Sequence, residues 1–318
     1  MRTAFIETLT EMAAKDQRIN LVVGDLGFGV VMKFAKQFPK QFLNAGVAEQ
    51  NMTGIAAGLA MTGKIVFTYS IANFPTIRCL EQIRNDVCYR NANVIVVAVG
   101  GGFSYGALGM THHATEDIAI MRALPEMQVV APGDPLETVE ATKAVAVGIG
   151  PVYLRLGRAG EPVVHQGPIS WSFGKALTVR EGKVLTLIST GAMLATATSV
   201  ADSLAEQGIE ICILSMHTVK PVDTNAIVSA ARATRRIVTL EEHSVIGGLG
   251  SAVAEVLCDS RIPGFQLYRI GLPSRFSKAV GDQEYLRKLA GLDVESVTNR
   301  LRRILHRDVP LDTNISAS

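Results

Sequence analysis

Asn44-Ala45-Gly46-Val47-Ala48-Glu49-Gln50-Asn51 runs directly into Met52-Thr53-Gly54-Ile55-Ala56-Ala57-Gly58-Leu59-Ala60, one carboxylate at the head of a run of small residues. Gly54 and Gly58 stand one helical turn apart and give a flat face on which another backbone can pack closely. A Glu at the mouth of such a helix loses hydration, and desolvation favours a carboxyl that holds or shares a proton near neutral pH. Glu49 is therefore a candidate proton-relay acid. The alternative is a capping Glu in the first helical turn, placed there by the macrodipole.

Helix and strand signals alternate outward from this segment. Upstream, residues 3–15 carry apolar positions at helical spacing, 19–24 reads as a strand, 30–38 as a helix and 42–44 as a short strand. Downstream, 64–69, 94–99, 128–132 and 152–155 read as strands, with a helix near 76–90. Continuous β-branched runs between helices point to parallel strands covered on both faces. Between Arg158 and Lys183 the pattern loosens into Gly, Pro, His and Gln around the lone Trp171. A second set follows, with strands at 184–188, 210–214 and 236–240 and helices at 192–207, 223–233 and 294–306. The predicted fold is α/β with two doubly wound domains: a mostly parallel domain over 1–160, a linker over 161–182, a smaller α/β domain over 183–308 and a flexible tail over 309–318.

The chain has 318 residues, 48% hydrophobic and 19% charged, enough apolar content to fill two cores. A net charge of +2 without a basic run argues against nucleic acid or a membrane surface as partner. Cys79, Cys88, Cys212 and Cys258 lack metal-ligand or redox spacing and read as thiols in a reducing compartment. Neither a signal peptide nor an apolar stretch of spanning length is evident, so a cytoplasmic enzyme is expected.

Gly46-Val47-Ala48-Glu49-Gln50, then Tyr69-Ser70-Ile71-Ala72-Asn73-Phe74 and Leu80-Glu81-Gln82-Ile83-Arg84-Asn85-Asp86, resemble the pyrimidine-binding half of thiamine-diphosphate enzymes. The likeness is strongest to transketolases and deoxyxylulose-phosphate synthases. Gly109-Met110-Thr111-His112-His113 is similar to their Gly-x-Thr-His-Gln segment, and 241–251 to the C-terminal domain of split transketolases. These segments occur in the expected order over nearly the whole chain. Gly248-Leu249-Gly250-Ser251-Ala252-Val253 departs from a dinucleotide fingerprint at its sixth position.

The resemblance implies roles residue by residue. Glu49 would bond N1′ of the cofactor's aminopyrimidine and share a proton with it. Tyr69 or Phe74 would stack on that ring, or both fill the core. Asp25 matches a strand-end Asp that approaches the cofactor, or forms a plain Asx-turn. His112 would line the substrate channel and contact hydroxyls, with His113 where Gln is usual. Arg155 and Arg158 resemble an Arg-Tyr-Pro-Arg segment and are candidates for a sugar-phosphate tail, Arg155 first; otherwise they are solvated linker charges.

Departures are equally informative. Leu108 stands where an Asp usually reads a sugar hydroxyl, and the usual upstream histidine is replaced near Gly100-Gly101, which points away from the common pentose phosphates as donor. The Gly-Asp-Gly…Asn signature of a diphosphate–Mg²⁺ domain is incomplete at Gly24-Asp25-Leu26, Gly133-Asp134-Pro135 and Gly281-Asp282-Gln283. The expectation is the small subunit of a split transketolase in an α2β2 assembly, with no metal ligands of its own. Thiamine diphosphate and Mg²⁺ or Ca²⁺ would be gripped by an N-terminal diphosphate-binding partner, and sugar phosphates would be the substrates. A β subunit of a 2-oxoacid dehydrogenase, a deoxyxylulose-phosphate-synthase-like enzyme and a non-catalytic partner subunit stand as alternatives.

Overall fold

The computed structural model describes residues 1–148 and 150–306; the tail expected over 309–318 lies outside the described residues. The first domain carries strands β1 (Ile19–Val23), β2 (Phe42–Asn44), β3 (Ile65–Ile71), β4 (Val94–Val99), β5 (Gln128–Val130) and β6 (Val152–Leu156). They form one parallel sheet in the order β2-β1-β3-β4-β6-β5. Alternate residues of each strand feed opposite cores, as a two-faced parallel sheet requires. Leu21, Phe67, Ile95 and Leu154 pack with Phe5, Leu9 and Phe34 on one face. Val22, Val66, Val96 and Tyr153 pack with Met52, Ile83 and Ile118 on the other. Each such apolar side chain contributes about 1.5–3 kcal/mol on burial.

The second domain holds β7 (Leu177–Arg180), β8 (Thr186–Ser189), β9 (Cys212–Ser215), β10 (Thr218–Lys220), β11 (Arg236–Ser244) and β12 (Gln266–Leu272). Its sheet runs β12-β11-β8-β9-β7, parallel except for β7 at the edge. The helices Met193–Ala205 and Val294–His306 cover one face, and Thr224–Thr234 and Leu249–Asp259 the other. No helix among the described residues is long and apolar enough to cross a membrane.

Three features differ from the sequence reading. The segment over 161–182 is packed into the body: Trp171 and Phe173 lie on the first core, Trp171 stacks on His217 at 4.5 Å, and Asp134 Oδ2 accepts the backbone N–H groups of Val164 and His165. Its last residues form β7, an edge strand of four residues. Second, β10 leaves its own domain and pairs antiparallel with β5, so one strand stitches the domains together. Third, the helix near 76–90 is a composite of a 3-10 turn (Ile77–Cys79), one α turn (Leu80–Gln82) and a π-helix (Ile83–Cys88). Such irregular helical stretches recur at functional sites.

Candidate active site

Glu49 is the first residue of the helix Glu49–Met61, reached from β2 through a turn in which Gly46 has φ +75°. Its side chain is only 1% exposed. Its carboxylate does not close on the helix end: Oε2 accepts from Arg78 Nη1 at 2.6 Å, and Oε1 meets the Ser70 hydroxyl at 3.4 Å. Gly24, directly after β1, leaves room for this arrangement, since a Cβ there would lie 3.2 Å from Glu49 Cγ. The carboxylate is thus buried and ion-paired, where the sequence had shown only burial.

Arg78 extends the cluster. Its guanidinium carbon lies 4.4 Å from the centroid of Phe74, and the Phe74 ring meets the His112 ring edge-on at 5.1 Å. Glu49, Phe74 and His112, far apart in sequence, are therefore brought together through a residue not singled out from sequence. Its only sequence signal was the i, i+4 spacing from Phe74. Phe74, Arg78, Met110, Thr111, His113 and Glu116 line a cavity of about 520 Å³. Asp25 stands on the neighbouring strand-end loop with φ +54°, and Asn44 clamps it: Asn44 Nδ2 donates to Asp25 Oδ1 at 2.8 Å while Asn44 Oδ1 accepts the Asp25 N–H.

Tyr69 and Arg155 fall elsewhere and correct the sequence reading. Tyr69 is adjacent to Ser70 on β3, so it points to the opposite face; it packs against Phe5 and Phe67 in the core, where burial pushes its phenol well above its ordinary range. Arg155 is buried: its Nε meets Asp117 Oδ2 at 2.6 Å, and Nη2 donates to the carbonyls of Ala114 and Glu242. Tyr153 donates to the same Asp117 oxygen at 2.5 Å. That guanidinium clamps the two domains and is not available to a phosphate. Arg158 is the exposed member of the pair, lying over the Tyr105 ring at 5.1 Å.

The histidines also divide. His112 is half-buried, with Nδ1 3.0 Å from the Thr111 hydroxyl. His113 turns inward against Phe103, and burial lowers its pKa although the Gly106 carbonyl opposes this. The loop carrying both is pinned by the second domain: Glu242 accepts the Phe103 N–H at 3.1 Å and bonds Arg287 at 2.7 Å, while Gln283 reaches Ser104. Gly102, with φ +65°, is required there because a Cβ would overlap the Glu242 carboxyl. Leu108 is exposed on the same loop.

The pyrimidine-binding domain of transketolase matches residues 1–161, and the transketolase C-terminal domain matches 174–297. The chain belongs to the transketolase family. It is 40% identical, over 97% of both chains, to a putative transketolase C-terminal section from Methanocaldococcus jannaschii. It is also 40% identical to one subunit of the apulose-4-phosphate transketolase of Phocaeicola vulgatus, covering 93% of this chain and 94% of that one. A solved split-gene transketolase, described as an inactive β4 tetramer, superposes with a TM-score of 0.88 at 38% identity, covering 96% and 98% of the two chains. The family is that of thiamine-diphosphate-dependent ketol transferases.

Proposed function

We propose that this chain is the pyrimidine-binding subunit of a two-subunit transketolase, moving a two-carbon ketol unit between sugar phosphates and active only with a separate diphosphate-binding subunit. The observation that carries the reading is Glu49, sealed from water and joined through Arg78 to the half-buried ring of Phe74. Those two residues fit the aminopyrimidine end of thiamine diphosphate: an acid for its ring nitrogen and a face for its ring. When bound, the cofactor supplies the electron sink for carbon–carbon cleavage. Glu49 holds or moves the proton at the pyrimidine nitrogen, and burial keeps that proton from water. Phe74 supports the ring, His112, on the loop whose Met110, Thr111 and His113 line the cavity, contacts substrate hydroxyls, and Arg158 meets the phosphate in place of the buried Arg155.

The diphosphate and its Mg²⁺ or Ca²⁺ fall to the partner in this reading. Among the described residues no three His, Cys, Asp or Glu side chains gather as metal ligands, and Asp25 is tied to Asn44. The partner's docking face is the helix behind Glu49. Gly54 and Gly58 are exposed there, and a Cβ on either would meet nothing within 4 Å, while Val47 and Met61 stand exposed at its ends. The inactive β4 tetramer of the solved relative supports a chain that self-associates and does no chemistry alone. Exposed Leu108 and Met110 beside His112 favour a donor other than the common pentose phosphates.

The test is ketol transfer by the purified chain, alone and mixed with a diphosphate-binding subunit, over a panel of ketose phosphates with thiamine diphosphate and Mg²⁺. Turnover is expected only in the mixture. Full turnover by the chain alone overturns the subunit assignment, and cleavage of pyruvate in preference to any ketose overturns the substrate class.

A further inference from the structure

Both oxygens of Glu49 are covered. Oε1 faces Ser70, which is fully buried on β3, and Gly24, directly after β1, whose backbone N–H bonds the Tyr69 carbonyl; neither can withdraw. Oε2 is covered by Arg78 at 2.6 Å, and Arg78 is 44% exposed on a single 3-10 turn. A ring nitrogen that shares a proton with this carboxylate must come within about 2.7–3.2 Å of it. Of the three covering groups, only the long, half-exposed arginine has somewhere to go. The space it can enter is the cavity of about 520 Å³ whose wall it already forms, beside Phe74 and Glu116.

We infer that Arg78 is a two-position positioning residue: it closes over Glu49 in one setting and, in the other, pivots on the face of Phe74 into the cavity to meet an anionic group of the substrate. This rests on Glu49 being the acid that meets the aminopyrimidine. Three features suit the motion. The cation of the pair is 44% exposed, so water can receive the freed guanidinium once the ring takes Arg78's place on the buried carboxylate. The Phe74 face lies under the guanidinium at 4.4 Å and accommodates sliding without losing the cation–π contact. His112 meets the same ring edge-on, and Met110, Thr111 and His113 of its loop line the cavity, so the moved cation arrives beside the loop proposed to read substrate.

The consequence is coupling between two ligands. A pyrimidine ring on Glu49 frees Arg78 for an anion, and an anion holding Arg78 uncovers Glu49. Linkage makes the effect reciprocal, and couplings of this kind are typically about 5–150-fold.

The experiment is calorimetric titration of thiamine diphosphate with Mg²⁺ into the assembled two-subunit enzyme, with and without an aldose phosphate that has no ketol to donate. Wild type is expected to bind the cofactor about five- to tenfold more tightly with the aldose phosphate present. Arg78→Met is expected to bind it more tightly than wild type without the sugar and to show no coupling. Arg78→Lys, which keeps the charge at the same place, guards against a folding failure and is expected to retain part of the coupling. Absence of coupling in wild type, its survival in Arg78→Met, or weaker cofactor binding by a folded Arg78→Met overturns the gate. If the wild-type assembly binds no thiamine diphosphate, the parent reading of Glu49 fails instead, and the two failures are thereby told apart.

Discussion

Two carboxylate–arginine pairs in this chain close at the same distance and do opposite things. Glu49–Arg78 and Asp117–Arg155 each meet at 2.6 Å, and both carboxylates are shut off from water. The arginines differ: Arg155 is 6% exposed and Arg78 44%. Around Asp117 burial alone would raise the carboxyl; the charge and hydrogen bonds of Arg155 outweigh it and hold the group below its ordinary range. Every neighbour of that pair is protein, including carbonyls from both domains. The Glu49 pair has protein on one side and a cavity on the other. Exposure of the cation, not the strength of the bond, separates an internal clamp from a site that a ligand can open.

The comparison breaks most sharply at its buried end. Asp117→Ala leaves Arg155 charged and unpaired between the domains and is expected to destabilise the chain by about 3–5 kcal/mol. Glu49→Gln keeps the shape of its site and leaves only a half-exposed arginine unpaired. Its unfolding midpoint in urea should stay near wild type, while turnover of the assembled enzyme falls by about 10²–10⁴-fold, the usual worth of a positioned proton-transfer group. If Asp117→Ala unfolded like wild type, or Glu49→Gln kept full turnover, the division into clamp and site would be wrong.

A smaller effect sharpens the outward side of the same helix. Gly54→Leu fills open space in the free chain and replaces a poor helix former, so stability should hold or rise by up to about 1 kcal/mol. Against a docked partner the same side chain overpacks, and about 1–3 kcal/mol of association should be lost, readable as a weaker dissociation constant by sedimentation. Unchanged association would move the interface elsewhere. Smaller still is Arg158→Met, expected to raise KM for sugar phosphates roughly tenfold, the size of one charge-assisted hydrogen bond, with the unfolding midpoint unmoved. An unaffected KM would remove Arg158 from the phosphate site.

What sequence could and could not reveal follows the same physics. The parallel sheet was legible because two-faced burial writes itself as unbroken β-branched runs, as in Val94–Val99. Segment likeness to a family singled out Glu49 and His112, with Phe74 as one of two aromatic choices, and the fold links these three through Arg78. Which of Tyr69 and Phe74 faces the site depended on the pleat of β3, and a loop follows that strand, so the parity was lost. Arg155 and Arg158 differ only in whether the side chain precedes or follows the end of β6, a boundary that composition does not mark. The Asp117–Arg155 clamp and the return of β10 to the first sheet join residues 38 or more apart, and no local pattern records such pairings.

The smallest prediction concerns protons inside the clamp. His243 is buried with Nδ1 donating to the Ser244 carbonyl at 2.7 Å and Nε2 accepting the Ala119 N–H at 3.2 Å, an arrangement open only to the neutral ring. Burial lowers its pKa, against the pull of Asp117. Glu241, 3.7 Å from that ring, is pushed up to about 7 by burial although the N–H groups of Gly250 and Leu249 hold its oxygens. The signs oppose. Stabilisation from neutral His243 is complete above its ordinary 6.5 and is lost as pH falls below it. Stabilisation from protonated Glu241 is complete below its ordinary 4.5 and is lost as pH rises through about 7. Between pH 5 and 7 the two slopes offset in the wild type. Glu241→Gln should make stability climb more steeply with pH over that interval, and His243→Asn should tilt it the other way, each by at most about 1.4 kcal/mol per pH unit. Asp117, Glu116, Arg155 and Arg122 also face this cluster, and with the remaining histidines they shift both variants alike. The difference between the two urea-midpoint profiles therefore isolates the pair. Parallel profiles would show that neither group titrates within the fold, and the clamp would then be rigid in charge as well as in shape.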